Sequence, residues 1–314
     1  MTMYEDYLAV IKVFSAGRVG ARAVGRMAGR VRGVDFFGAV EDVAEVSGQV
    51  AVGGDLASHP VTAEEVGAVL QPLMVGTDLV FIVSSFDGGA DHEYARFCAE
   101  AARREGVVTL GITPAAGVTV RNPGAFDSLI HLNRTCIVPW DESIPTTFGN
   151  EALLDYLARH AVHQLTTLIV EHSLICVDFA DVKAVLSGGG DSFMGLGMAG
   201  GAGKGTAAGE NALRGLARQN IDIAGADGVL ALVTGSTNMT MDDFDDASRS
   251  IYGAISEGAN IIVGLLMDDA LGENVKVTLF ANFTVRTERD SSFQDRGTAT
   301  TRRTISSMEG TRWK

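Results

Sequence analysis

The sequence predicts an α/β protein in which a doubly wound, largely parallel sheet precedes a long central helix and a second, α+β domain. Apolar strand-like runs alternate with helical stretches between residues 8 and 138. An amphipathic helical pattern then occupies residues 151–171, and a new series of strands follows residue 185. We therefore expect a first domain at 1–150, a linking segment at 151–184, a second domain at 185–285 and a disordered tail at 286–314.

The first domain contains five predicted strands. They lie at residues 8–14, 34–40, 78–84, 107–112 and 129–138. The first run stops at a glycine-containing segment, Ser15–Gly20, before a helical stretch at 21–31, and a second helix is predicted at 93–105. In doubly wound sheets the ligands bind at the carboxyl ends of the strands, so we expect a ligand site there.

The central helix is predicted by apolar residues that recur at steps of three and four. They are Leu154, Leu157, Ala161, Leu165 and Leu168. At 1.5 Å per residue this helix would be roughly 30 Å long. Beyond it we expect a loop at 176–181 and a glycine-rich stretch at 188–205. The second domain then has predicted strands at 228–233, 260–267 and 275–280 and a predicted helix at 241–256.

Charge and cysteine usage exclude several classes of protein. The 314 residues carry a net charge of −14, which repels nucleic acid, so no nucleic-acid partner is expected. Cys98, Cys136 and Cys176 lie in apolar surroundings and predict buried thiols in a reducing compartment. The first residues are acidic, and no apolar run reaches the roughly 18 residues that cross a bilayer. We therefore expect a cytoplasmic location.

The tail at 286–314 differs from the body in charge. Its net charge is +3, and it has little apolar periodicity. It could tether the body to a protein or membrane surface, with Trp313 inserting beside basic residues, or it could be a solvated end with no specific role.

Several segments of the second half carry a resemblance to a known family. They are Cys176–Lys183, Leu186–Gly197, Gly228–Gly235, Gly258–Gly264 and Leu271–Leu279. In residues and spacing they resemble the tubulin and FtsZ superfamily, on the FtsZ side, and the resemblance covers residues 8 to about 283. It implies a GTP-binding first domain, a linking helix and protomers that stack head to tail.

The resemblance also implies a catalytic role for two acids. In the family an acidic loop of one protomer reaches the nucleotide of its neighbour, where a carboxylate orients the water that attacks the γ-phosphate. Asp178 and Asp181 match the two acids of that loop. The family's preceding asparagine is Cys176 here, which removes an amide that helps to order the site.

The first glycine loop of the family is matched in part. Gly17 and Gly20 align with its phosphate-contacting glycines, whereas longer side chains replace others. Arg18 or Arg22 could bind an anion at this place.

The main phosphate loop of the family departs further. Gly88 and Gly89 match its glycines, but Asp87, Asp91 and Glu93 stand beside them. Two like charges 4 Å apart repel by about 4 kcal/mol at an effective dielectric constant of 20, so these acids weaken binding of a bare triphosphate. A divalent metal could bridge Asp87 or Asp91 to phosphate, or the acids could cap the helix that follows.

Two further acids match nucleotide-side positions of the family. Asp155 matches a base-recognising residue, and Asp42 matches another acid near the nucleotide. The alternative is that both are ordinary carboxylates, one on a helix face and one in a turn.

Three functions remain compatible with these residues. The first is a divergent FtsZ-like cytoskeletal protein that assembles with itself, or with a regular FtsZ-type partner, while its own GTP binding is weakened or lost. The second is a GTPase with an unconventional pocket built from Arg22, Asp42 and Asp155, holding GTP or GDP with Mg²⁺. The third is a non-polymerising adaptor in which Asp178 and Asp181 serve only as caps.

Two other motifs are set aside. Residues 200–206 resemble a phosphate-binding loop, but the spacing of glycine and lysine is wrong, so we expect a flexible surface loop. His160, His163, His172 and Cys176 do not have the spacing of a known zinc module, and polar histidines on a helix face are the preferred interpretation.

Overall fold

The computed structural model describes most of the chain between residues 9 and 284. The described residues are 9–27, 29–39, 50–51, 63–86, 89–114, 122, 124–137, 150–170 and 177–284. The tail at 286–314 lies outside them, as do Asp42, Asp87, Gly88 and Cys176.

The strands and helices have the following bounds. The strands are β1 (Ile11–Ala16), β2 (Val34–Ala39), β3 (Val50–Ala51), β4 (Leu79–Val83), β5 (Val108–Thr113), β6 (Ser128–His131), β7 (Gly190–Ala199), β8 (Gly228–Gly235), β9 (Asn260–Met267) and β10 (Val275–Phe283). The helices are α1 (Gly17–Gly25), α2 (Ala63–Met74), α3 (Gly89–Arg104), α4 (Asn150–Val170), α5 (Phe179–Leu186), α6 (Lys204–Ala217) and α7 (Met241–Tyr252).

All these strands form one sheet. Their order is β3-β2-β1-β4-β5-β6-β7-β10-β8-β9. The part from β3 to β6 is entirely parallel and has the strand order of a doubly wound nucleotide-binding sheet. In the second part, β10 runs antiparallel to both of its neighbours. The predicted fold class is confirmed.

The central strands are apolar because helices cover both faces of the sheet. Every residue of β4 and of β5 is buried, as expected for parallel strands between two layers of helices. One core cluster packs α1 and α4 against the sheet, and a second lies under α2 and α3 on the opposite face of the first half. A third lies under α6 and α7.

The central helix is close to its prediction, and the apolar period predicted its buried face. The side chains of Leu157, Ala161 and Leu165 are fully buried in the first cluster. That cluster also contains Leu232 and Phe280 of the second half, so α4 packs against both parts of the sheet.

Several elements differ from the sequence prediction. The glycine-rich stretch at 188–205, expected to be irregular, contains all of β7 and the start of α6. The loop expected at 176–181 ends at Asp178, because α5 begins at Phe179. The helices α2, α5 and α6 and the short strand β3 were not predicted. The sheet is continuous across residue 185, since β6 pairs directly with β7, and the division into domains stays a prediction.

Candidate functional site

The first candidate site lies at the carboxyl ends of β1 and β4. From β1 the chain continues outward to β2 and β3, whereas β4, β5 and β6 lie on the other side, so the strand order reverses between β1 and β4. Ligands of doubly wound sheets bind at such a reversal. The helix α1 begins directly after β1, and α3 begins at Gly89, soon after β4. Both helix amino termini therefore lie at the edge of the sheet where an anion would bind.

The first glycine loop is replaced by regular structure. Gly17 is the first residue of α1, and Gly20 lies within that helix rather than in a loop. A Cβ added at Gly20 would lie 2.1 Å from the carbonyl oxygen of Val83, so this glycine allows α1 to approach β4 closely. The predicted loop at 15–20 is wrong, because β1 extends to Ala16 and leads straight into the helix.

Asp155 is fully buried and ion-paired. Arg22 Nε lies 2.9 Å from Asp155 Oδ2 and 3.2 Å from Oδ1. Arg26 Nε lies 3.1 Å from the same Oδ2. Asp155 has no exposed side-chain surface, whereas 27% of the Arg22 side chain and 52% of the Arg26 side chain are exposed. The candidate anion-binding arginine and the candidate base-recognising carboxylate therefore bind each other.

The sequence analysis missed two residues near this crevice. Arg26 follows Arg22 by four residues and so lies on the same side of α1, a spacing that could have identified it. Ser15, near the end of β1, is fully buried, and its hydroxyl has no hydrogen-bond partner in the part of the chain that the structure describes. No pattern in the sequence distinguishes that serine from an ordinary core residue.

The second candidate site is the start of α5. Asp178 is the amino-terminal cap of this helix, and its Oδ1 accepts a 2.9 Å hydrogen bond from the backbone N–H of Asp181. In return Asp181 Oδ2 accepts a 3.1 Å bond from the backbone N–H of Asp178. This capping box fixes both carboxylates and uses one oxygen of each. The side chain of Asp178 is exposed, and that of Asp181 is partly exposed.

Polar contacts join α4 to the second half of the sheet. His160 Nε2 lies 2.9 Å from Thr278 Oγ1, and Thr234 Oγ1 donates a 3.2 Å hydrogen bond to Gln164 Oε1. Burial lowers the pKa of His160 well below its usual value, and nearby cationic groups lower it further. His160 lies on a face of α4 as a polar histidine, and that face is covered by β10.

Lys204 is also placed differently from its prediction. It begins α6 and is buried, and its Nζ lies 3.6 Å from Asp243 Oδ2 and 3.5 Å from the carbonyl oxygen of Asn238. The flexible surface loop expected here is wrong for this residue. Its ammonium group is engaged by a neighbouring helix and loop rather than directed at a phosphate.

Three further observations concern the chain as far as it is described. Cys98 and Cys136 are buried free thiols, and burial raises the pKa of each to about 12. Within the described ranges, no group of three or more histidine, cysteine or acidic residues is arranged to hold a metal ion. No described helix is both long enough and apolar enough to cross a membrane.

The parallel first part of the sheet, the spanning helix α4 and the mixed second part define a tubulin-like fold with a crevice at its strand reversal. Residues 190–283 match the carboxy-terminal domain of the FtsZ family. The cell division protein FtsZ of Buchnera aphidicola is 28% identical, with 87% of this chain and 79% of the relative covered. The FtsZ of Wigglesworthia glossinidia is equally similar. Along most of its length the chain is thus similar to the tubulin/FtsZ superfamily, and it has the fold of that superfamily.

Solved structures support the same fold. An empty FtsZ dimer from M. jannaschii has a TM-score of 0.73 at 23% identity, with 88% of this chain and 89% of that chain covered. CetZ2 from Haloferax volcanii, solved as a GTPγS-bound protofilament, has a TM-score of 0.63 at 18% identity, with 90% and 96% covered. At these identities the likeness establishes the fold alone.

Proposed function

We propose that this chain is a divergent FtsZ-like cytoskeletal subunit of the cytoplasm that forms filaments in cell division or membrane remodelling. It stacks head to tail with itself or with a regular FtsZ-type partner, and its own GTP binding is weakened or lost. The names of its relatives support the division role, and the solved dimer and protofilament of its structural neighbours support stacking.

The ion pairs of Asp155 are the observation that carries this proposal. A carboxylate that recognises a base must offer its oxygens to N–H donors of that base. Here both oxygens lie within 3.2 Å of Arg22 Nε, and the side chain has no exposed surface. Guanine would have to displace partly exposed arginines from a buried carboxylate, which opposes binding because that carboxylate would lose its charged partners. The residues present therefore fit the base poorly, although the two helix amino termini remain suited to an anion.

The capping box supports a role for the acids toward a neighbouring subunit. Asp178 Oδ2 and Asp181 Oδ1 are not used by the cap, and the cap holds both carboxylates in defined positions. A fixed carboxylate can orient a water molecule without first losing side-chain entropy. The chain could thus assist hydrolysis at a partner's site while its own crevice stays empty.

Nucleotide content is the first test. The purified protein is extracted, any bound guanine nucleotide is identified, and GTP is titrated with Mg²⁺ at low and high salt. We expect no retained nucleotide and no saturable heat. Retained GDP or tight GTP binding would overturn the weakened pocket and would favour a GTPase with an unconventional site at Arg22, Asp42 and Asp155. The amino termini of α1 and α3, together with the unpartnered hydroxyl of Ser15, favour that second candidate.

The role of the acids is tested by separating charge from capping. Asparagine caps helices nearly as well as aspartate, so Asp178→Asn removes the charge and keeps the cap, whereas Asp178→Ala removes both. We expect both variants to slow the GTP turnover of an FtsZ-type partner by a similar factor. Thr240→Ala is the matched control, because it removes the capping box of α7 without changing a charge, and we expect turnover to be unchanged.

The adaptor role is distinguished by the same variants. The reciprocal cap favours it, since two acids that bind each other's backbone need no further function. If Asp178→Asn supports the GTP turnover of a partner like the wild type, and only Asp178→Ala is defective, the acids act as caps. Absence of filaments by light scattering, with and without a partner, would likewise favour the adaptor role. The tail at 286–314 remains a proposed contact to a protein or membrane surface, tested by its deletion.

A further inference from the structure

We propose that a cavity between the α1–β2 turn and α4 binds a small phosphate-bearing molecule, separately from the crevice at β1 and β4. The cavity has a volume of about 270 Å³. Its walls come from the turn that precedes β2 and from the second half of α4. The lining residues are Arg30, Arg32, Gly33, His163, Thr166, Thr167 and Val170.

The cavity is lined by positively charged residues, whereas the protein as a whole is negatively charged. Arg30, Arg32 and His163 line it, and no lining residue is acidic, although the chain has a net charge of −14. Neither arginine side chain has a hydrogen bond or ion pair to another described residue. Guanidinium groups form paired, charge-assisted hydrogen bonds to phosphate oxygens, so two unpaired arginines on one wall favour a phosphate group.

The turn that carries the arginines is anchored to the core. The backbone N–H groups of Arg30 and Val31 donate to the carbonyl oxygen of Met27, at 2.9 and 3.0 Å. The side chains of Met27 and Val31 are buried in the first core cluster, whereas Arg30 and Arg32 are exposed. Arg30 and Arg32 therefore project from a backbone that is already ordered, which reduces the entropy lost when an anion binds.

The opposite wall is one face of α4. His163, Thr166, Thr167 and Val170 are spaced i, i+3, i+4 and i+7, so they share that face. Thr166 is 2% exposed, and its hydroxyl has no hydrogen-bond partner among the described residues. That oxygen is closed off from solvent, so a ligand in the cavity does not reach it, and the anion is held by Arg30 and Arg32.

The size of the cavity limits the ligand. About 270 Å³ is below the usual range of roughly 300–1,000 Å³ for drug-sized ligands. The cavity therefore has room for a phosphoryl group with a body of a few carbon atoms, and Val170 supplies an apolar contact for that body. A whole nucleotide is too large to be enclosed by it.

Binding is tested with inorganic phosphate and with glycerol 3-phosphate. Each is titrated into the protein by calorimetry, and the ring protons of its histidines are followed by NMR. We expect saturable binding that shifts the NMR signal of His163. This signal is assigned by comparison with the variant His163→Gln, in which it is missing. The double variant Arg30→Gln/Arg32→Gln should weaken binding at least about tenfold, which corresponds to about 1.4 kcal/mol. Both side chains are exposed, so folding should be preserved.

Thr166→Val keeps the shape of the side chain and tests whether the arginines alone hold the anion. Removal of a buried hydroxyl without a described partner should leave the free protein as stable as before or more stable. Phosphate affinity should change less than about twofold, because the ligand does not reach this hydroxyl. The matched control is Arg214→Gln/Arg249→Gln, which removes two exposed positive charges from α6 and α7, and it should change affinity less than about twofold.

Three results would overturn the proposal. They are no saturable binding of either probe, equal loss in the cavity and control variants, and binding that leaves the His163 signal unchanged. Phosphatidylglycerol vesicles form a further arm of the experiment. If vesicles bind through Arg30 and Arg32 and neither soluble probe does, the site recognises a membrane surface and the small-molecule proposal is wrong.

Discussion

At the level of single residues, Arg22 and Arg26 place two positive charges against the one carboxylate of Asp155. Asp155→Asn removes that counter-charge and leaves the guanidinium groups to repel each other. We expect the free energy of unfolding to fall by about 2 kcal/mol, since hydrogen bonds to a charged group contribute about 1.5–3 kcal/mol. Urea unfolding measures the change.

The control for this variant is Glu210→Gln. It removes the partner of Arg214 in a pair of which more than half of each side chain is exposed, so we expect a loss below about 0.5 kcal/mol. Equal small effects of the two substitutions would mean that the Asp155 pairs contribute no more than a surface pair.

His160 predicts a pH dependence of stability. Its pKa is lowered by burial first, then by Lys276 of β10 and by His163 and Arg159 of α4, so the native state holds the ring neutral. The unfolded chain binds a proton near pH 6.5, and stability is therefore full above that pH and lost as pH falls below it. Between pH 7 and 5.5 this histidine should contribute a loss of about 1 kcal/mol.

His160→Gln isolates this contribution. Glutamine retains a hydrogen-bonding group for Thr278 but does not titrate, so its unfolding free energy should fall less between pH 7 and 5.5 than that of the wild type. Urea unfolding at three pH values gives the two slopes. Parallel slopes would contradict the assignment, because the acids are the same in both proteins.

Single residues also show what a sequence can predict about a site. The position of Asp155 on the central helix follows from the apolar period of α4, but its partners belong to a helix more than a hundred residues earlier in the chain. Only the packing of α1 against α4 brings Arg22 and Arg26 to it, and no spacing within the sequence encodes that contact.

At the level of elements, the close contact of α1 with β4 depends on Gly20. In Gly20→Ala the new methyl group would meet the carbonyl oxygen of Val83, so the helix must move away from the strand. We expect a loss of about 1–3 kcal/mol, as for other overpacked core positions. Thermal and urea unfolding measure it, and the loss should appear in the nucleotide-free protein.

Gly25→Ala, in the same helix, is the matched control. No atom lies within 4 Å of the position that its Cβ would take, so the substitution should be neutral or stabilise by up to about 1 kcal/mol through helix propensity. If Gly20→Ala is as stable as the control and loses only anion binding, Gly20 contacts a ligand as its family position implies.

Helices and strands were predicted accurately where they contain few glycines and missed where glycines pack closely against a neighbouring backbone. The strand β9 was predicted with its observed bounds, because its apolar run is continuous and bounded by polar residues. The strand β7 and the start of α6 were missed, because their glycines resemble a loop. A Cβ at Gly197 would lie 2.3 Å from the carbonyl oxygen of Ala208, and one at Gly205 would lie 2.0 Å from that of Asp243. These glycines allow close packing of neighbouring backbones, which composition alone does not distinguish from flexibility.

At the level of the whole molecule, a buried polar chain links the two halves of the sheet. Ser128 Oγ of β6 lies 2.7 Å from Ser192 Oγ of β7, and Ser192 Oγ donates a 3.2 Å hydrogen bond to Asn282 Oδ1 of β10. Asn282 Nδ2 in turn donates to the carbonyl oxygen of Val185. Since β6 and β7 also pair directly, we infer that the sheet unfolds as one cooperative unit.

Asn282→Ala tests this cooperativity. It removes the buried hydrogen bond of Ser192 and leaves the carbonyl oxygen of Val185 without its donor, and we expect a loss of about 3 kcal/mol. In one cooperative unit, native-state hydrogen exchange should report the same loss for amides of β5 in the first half and of β8 in the second. Asn260→Ala, at the exposed start of β9, should leave both sets of amides unchanged. A loss confined to β7, β8 and β10 would mean that the halves unfold separately, and the predicted boundary at residue 185 would then be a true division of the fold.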